Sequence, residues 1–265
     1  MSLDFERALK YPFEDKKWVE KLLPLFLIMF IILVAVSITQ IFGNGVISAV
    51  FKDTGIEDGF ALSYITSFTT TMGVSVLLFP LSLYLSGYML KISQNVMKGE
   101  DILLPPHSEY EDIFAKGLVQ WLARFTTGII PAVILTVYII LASTLFVEGA
   151  YDNLEILLLL IGIALYILMQ TVASFISIGM LINYMRVNHW RAIFDFDEIK
   201  SILQNRWKDI VLFWLVMTAL SAVASLLIFM TCCLAPFTGA ILQTLYMLIY
   251  AYIMGNLAKL VTTKA

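Results

Sequence analysis

The chain has 265 residues, of which 60% are hydrophobic and only 14% charged. A soluble domain carries about 45–50% apolar and about 25% charged residues, so this composition, with a mean hydropathy of +0.88, excludes an ordinary water-soluble fold. Two cysteines exclude a disulfide scaffold, and a net charge of -3 leaves no basic footprint for nucleic acid.

The charged residues cluster, and the gaps between clusters define the elements. No charge falls between Lys21 and Lys52, Asp58 and Lys91, Arg124 and Glu148, Glu155 and Arg186, or Asp209 and Lys259. The last gap is long enough for two spans of about 20 residues. The stretch from Cys232 to Gly239, with Pro236 inside it, divides the gap by its turn residues. Six helices are therefore expected near 22–43, 63–88, 122–147, 155–185, 210–231 and 237–258. No alternation of period two supports a barrel. The first apolar run is too long for a cleaved signal and follows a mostly polar segment.

Six spans place both ends of the chain on one side. Of the 17 basic residues, all but Lys52 fall on that side, so the positive-inside rule predicts cytoplasmic termini in a plasma-membrane protein. The outer loops are short and acidic, with Asp53, Glu57, Asp58, Glu148, Asp152 and Glu155.

Each odd-numbered span is preceded by a cytoplasmic segment with an apolar stripe, acidic residues and a Trp near a basic residue: Trp18 with Lys21, Trp121 with Arg124, Trp207 with Lys208. In the middle segment Tyr110, Ile113, Phe114, Gly117, Leu118 and Trp121 recur at helical spacing. Ser108 and Glu111 form a capping-box pattern after Pro105-Pro106. In the third, Ile199, Ile202, Leu203, Trp207 and Ile210 follow the same period. Tyr11-Pro12 precedes the first span. The pattern predicts three amphipathic interfacial helices and a three-fold repeat over 1–103, 104–189 and 190–265, all in one transmembrane domain. Convergent membrane-edge composition would give the same look. The segments read either as a platform that docks a partner or as anchors at headgroup depth, and the anchor reading is the plainer.

Several of these residues carry a resemblance. Ala8 to Trp18, Gly87-Tyr88, Gly99-Glu100, Leu104-Pro105-Pro106, Phe114 to Leu118 and Phe194 to Ile199 resemble the prokaryotic membrane family known as domain of unknown function 4013. The chain departs from its pattern at residues 44–62, which look longer, and at Pro106. More distantly, it looks like the membrane region attached to some glycerophosphodiester phosphodiesterases. That likeness implies a membrane scaffold without catalytic residues.

Chemistry is sparse. The expected spans hold no Asp, Glu, His, Lys or Arg beyond their ends, which argues against ion-coupled transport. His107 and His189 lie in separate loops outside any His-Glu-x-x-His pattern and read as solvated surface. No phosphate loop or nucleophile elbow occurs, so no cofactor or metal is expected. Span two holds Ser67, Thr69, Thr70 and Thr71, and later spans hold Gln170 and Gln243. These line a polar path or, as the plainer reading, pack helices together. Asp195, Asp197, Glu198 and His189 read as a solvated helix start before a loop active site. Cys232 and Cys233 read as inert thiols.

The sequence therefore predicts an all-α integral membrane protein with six transmembrane helices and three cytoplasmic-side amphipathic helices. Its expected role is a non-catalytic component or scaffold, or in the alternative a passive channel or carrier for a neutral or lipid-like substrate. Expected partners are membrane lipids and a protein partner or second copy at the cytoplasmic face.

Overall fold

The computed structural model describes residues 5–52, 59–100, 103–146, 152–231 and 234–262. Among them the fold is entirely helical, without strands: α1 (Phe5–Glu14), α2 (Trp18–Lys52), α3 (Gly59–Lys98), the 3-10 helix η1 (His107–Glu109), α4 (Tyr110–Phe146), α5 (Asp152–Val187), the 3-10 helix η2 (Trp190–Phe194), α6 (Phe196–Met230) and α7 (Ala235–Thr262). Among the described residues six stretches are long and apolar enough to cross a membrane: Trp18–Thr39, Val76–Lys98, His107–Tyr138, Leu160–Val187, Phe196–Met230 and Ala235–Thr262.

Helix boundaries follow from local chemistry. Pro12 lacks an N–H to continue the ladder, and α1 stops two residues later. The turn that follows is tied by Trp18 N–H to the Asp15 carbonyl (3.0 Å) and Lys17 N–H to Asp15 Oδ1 (2.8 Å), which starts α2. At the end of α3, Gly99 adopts φ 74°. Its N–H bonds the Val96 carbonyl while Glu100 N–H reaches the Asn95 carbonyl, a Schellman ending that favours glycine. Asn188 ends α5 with the simpler left-handed cap at φ 55°, a single bond from its N–H to the Tyr184 carbonyl at 2.7 Å. Asp195 caps α6, its Oδ1 accepting from Glu198 N–H at 3.2 Å.

The helices run longer than the uncharged gaps. Charged residues at the ends of a helix leave its backbone ladder intact, so α3 reaches Lys98 and α4 begins at Tyr110. The three segments expected ahead of the odd spans differ in their connection. The first is a separate helix, α1. The second is continuous with α4, because nothing between Tyr110 and Trp121 breaks the backbone. The third joins its span through a kink at Arg206 (φ -127°, ψ 18°). Ser108 is not the expected cap: it lies inside η1, which follows Pro106 without a side-chain cap.

Two compact bodies are formed, one from Ser2–Gly117 and Val216–Gly255, the other from Leu118–Leu215 and Asn256–Ala265. In the first, the core includes Ala8, Tyr11, Leu25, Tyr88, Ile92, Leu104, Ile113, Leu248 and Ala251. In the second it includes Ile182, Met185, Ile193, Ile199, Ile202, Phe213 and Leu257.

Candidate functional site

In the first body α3 and α4 approach until their backbones touch. A Cβ built on Gly87 would lie 1.7 Å from the Ile113 carbonyl oxygen, and one on Gly117 would lie 2.0 Å from that of Leu83. Only glycine admits such a crossing. A turn beyond Gly87, Lys91 Nζ reaches Glu109 Oε2 at 2.9 Å and Asp112 Oδ2 at 2.6 Å. Lys116, its side chain only 5% exposed, pairs with the other oxygen of Asp112. One carboxylate thus sits between two ammonium groups, compensating a lysine that burial would otherwise penalise.

Beside this cluster the His107 ring stacks near Tyr84 and Tyr88, with centroids 6.0 and 5.5 Å away. His107 Nε2 donates to the Lys21 carbonyl at 2.9 Å. A carbonyl can only accept, so Nε2 carries the proton, and in the neutral ring Nδ1 accepts from the Tyr84 hydroxyl. Tyr88 donates to the Pro105 carbonyl (3.0 Å), and Lys21 Nζ donates to Asp15 Oδ2 (2.6 Å) and the Leu104 carbonyl (2.7 Å). Burial pushes the Asp15 carboxyl up. The hydrogen bonds from Lys21 and the Lys17 amide, with the charges of both lysines, outweigh that effect and hold it below the ordinary carboxylate value. His107 is therefore a bonded, half-buried ring and not the solvated surface residue expected from sequence. Its partners, Tyr84 and Lys21, are remote in the chain; the one local signal was a pair of tyrosines four residues apart near the end of α3.

The end of α7 that belongs to this body fastens the same region. Tyr11 donates to the Leu248 carbonyl at 2.9 Å and stacks on Tyr252 at 5.0 Å. Burial, then the neighbouring Tyr88 and Tyr252, push its phenol well above the usual value, so it remains a neutral donor. Ser93 donates to the Ala251 carbonyl at 2.9 Å. A Cβ on Gly255 would lie 2.5 Å from the Ser93 carbonyl oxygen.

The remaining sequence-selected residues are dispersed. Trp18 and Trp121 are each 38% exposed and Trp207 57%. Trp18 meets Phe13 edge-on, Trp121 stacks on Phe125, and Trp207 carries the Lys208 ammonium 5.7 Å from its ring. Pro12 and Pro105 are buried and Pro106 is exposed. Gln170 Nε2 bonds the Tyr166 hydroxyl one turn back on its own helix (3.2 Å), and Gln243 is half-buried on α7. The side chains of Ser67, Thr69, Thr70 and Thr71, and the whole of Cys232 and Cys233, lie outside the described residues.

In the second body three of the four residues singled out around the start of α6 have structural partners, while Asp197 is exposed. Asp195 caps α6, Glu198 pairs with Arg186, and His189 Nδ1 accepts from Arg191 N–H at 3.3 Å. Among the described residues no three His, Cys, Asp or Glu side chains gather as a metal would require. Asp195, Glu198 and His189 thus hold helix ends to connectors.

The model of a family described as a protein of unknown function, DUF4013, matches residues 71–233, more than half of the chain. The chain belongs to the DUF4013 family. The matched stretch contains the Gly87–Gly117 crossing and the Lys91, His107 and Lys116 cluster, while α1, α2 and α7 of this DUF4013 protein lie outside it. No curated protein, glycerophosphodiester phosphodiesterases included, and no solved structure matches.

Proposed function

We propose that this DUF4013 protein is a non-catalytic plasma-membrane component, a scaffold or accessory subunit with six spans and cytoplasmic termini. The observation that carries the reading is the division of surfaces. Ile130, Val133, Leu168, Phe229 and other apolar side chains of the long helices are more than half exposed, as contact with lipid demands. The polar clusters near Lys91, His107 and Arg186 are engaged in fastening helix ends, which supports a structural role for them.

Three similar units of interfacial helix plus hairpin fit this role, with α1, the start of α4 and the start of α6 as the interfacial pieces. A shared ending supports the repeat: Asn95-x-x-Lys98, Asn183-x-x-Arg186 and Asn256-x-x-Lys259. Asn95 Nδ2 donates to the Leu103 carbonyl (3.1 Å) and Asn183 Nδ2 to the Ala192 carbonyl (2.9 Å), each clasping the connector that follows its helix. Trp18, Trp121 and Trp207 then anchor the units at headgroup depth, and the cytoplasmic face receives a protein partner or a second copy.

Thiol labelling tests the topology through Cys232 and Cys233, the chain's 2 cysteines. An impermeant reagent should reach them from outside intact cells; labelling confined to inside-out vesicles reverses the orientation. Purification in a gentle detergent tests the accessory role, which requires a co-purifying subunit in stable ratio.

A further inference from the structure

The second body contains a cleft of about 410 Å³ lined by Arg186, Arg206, Ser201, Asn205, Glu198 and Val261, among others. It forms where α6 breaks: Arg206 leaves helical geometry at φ -127°. Its Nη2 donates to the Leu260 carbonyl (2.8 Å) near the end of α7, and Nη1 lies 3.6 Å from Asp209. Arg186 pairs with Glu198 through one terminal nitrogen. A guanidinium carries five N–H groups, so these bonds leave each arginine further donors. Ser201 and Asn205 add a hydroxyl and an amide, and the bond between them is long at 3.3 Å. Against these donors the lining offers one carboxylate, Glu198.

A donor-rich pocket with two planar guanidinium groups suits a tetrahedral oxyanion, which arginine binds through paired charge-assisted hydrogen bonds. The volume exceeds that of a bare ion and falls in the range of small-ligand sites, roughly 300–1,000 Å³. We propose that this cleft binds a phosphate group, as a phospholipid headgroup or as free phosphate. The lipid source rests on the membrane reading above; the phosphate chemistry does not.

The test uses the full chain in phosphatidylcholine nanodiscs, with and without phosphatidylglycerol, and in a separate arm adds millimolar inorganic phosphate. Native mass spectrometry reads retained lipid, and the unfolding midpoint reads phosphate. The parent chain is expected to retain phosphatidylglycerol over phosphatidylcholine. Ser201→Asp, which places a negative charge in the cleft, should weaken retention by about tenfold or more, as should Asn205→Asp should the first variant fold poorly. Gln204→Asp, outside the cleft lining, should leave retention unchanged. A phosphate-dependent rise in midpoint that Ser201→Asp abolishes, without lipid preference, identifies free phosphate as the source. Equal retention by parent and both cleft variants, with no phosphate effect, overturns the proposal. A chain that fails to enter nanodiscs sinks the membrane reading alone, since the phosphate arm still reports on the cleft in detergent.

Discussion

Gly117 stands so close to Leu83 that a methyl group on it would overlap the Leu83 carbonyl oxygen at 2.0 Å. Gly87 faces the Ile113 carbonyl even more tightly, and the obstacles in both places are backbone, which cannot rotate away. Gly87→Ala or Gly117→Ala must therefore push α3 and α4 apart. Each should cost about 3 kcal/mol or more, the upper part of the range for overpacking, read as a fall in unfolding midpoint in detergent. Gly128→Ala, with open space around it, should be neutral or gain up to about 1 kcal/mol of helix propensity. Equal behaviour of Gly117→Ala and Gly128→Ala would remove the crossing from the account.

His107→Phe keeps an aromatic ring beside Tyr84 and Tyr88 but deletes the bonds to the Tyr84 hydroxyl and the Lys21 carbonyl. The expected loss is about 1–3 kcal/mol, the usual consequence of orphaning a partly buried polar group. Paired with Tyr84→Phe in a double-mutant cycle, it should show a coupling of about 0.5 kcal/mol or more. Strict additivity would mean that the two rings do not share a hydrogen bond.

The Asp15 carboxyl is held below its ordinary value in the fold, so its contribution is fully present above the unfolded value of about 4 and disappears as pH falls through the lower folded value. The difference in unfolding midpoint between the parent chain and Asp15→Asn should thus be constant between about pH 7 and pH 5 and shrink below about pH 4. A difference that instead grows on acidification contradicts the Asp15–Lys21 pairing.

Trp18, Trp121 and Trp207 should report headgroup depth. In variants retaining one of them as the sole Trp, lipids brominated near the glycerol should quench its fluorescence more than lipids brominated near the acyl terminus. Stronger quenching from the deep position at any of the three would end its role as an interfacial anchor.

The long apolar helices were legible because a single physical constraint, the exclusion of charge from hydrocarbon, acts on contiguous sequence. Lys21, Lys91, Arg124 and Arg186 bracket the helices for that reason, though the helices themselves continue past them. The partner of each charge was not legible. Whether Lys91 meets Asp112 depends on the glycine crossing, and the two glycines involved are 30 residues apart in a chain that has 14 of them. His107 escaped for the same reason: its acceptor is a backbone carbonyl at Lys21, which no side-chain pattern advertises. Asp195 was readable as a helix start because its target, the Glu198 amide, is local.

The bond from Tyr11 to the Leu248 carbonyl has a consequence in time. The two residues are 237 positions apart, so at about 5–20 residues per second of synthesis α1 is made long before its acceptor exists. His107 lies only 86 positions from its acceptor at Lys21, whereas Tyr11 waits until α7 has been made. α1 is therefore tied to α2 through Asp15 and Lys21 well before it is tied to α7, and any product ending before Leu248 leaves the Tyr11 hydroxyl without this acceptor.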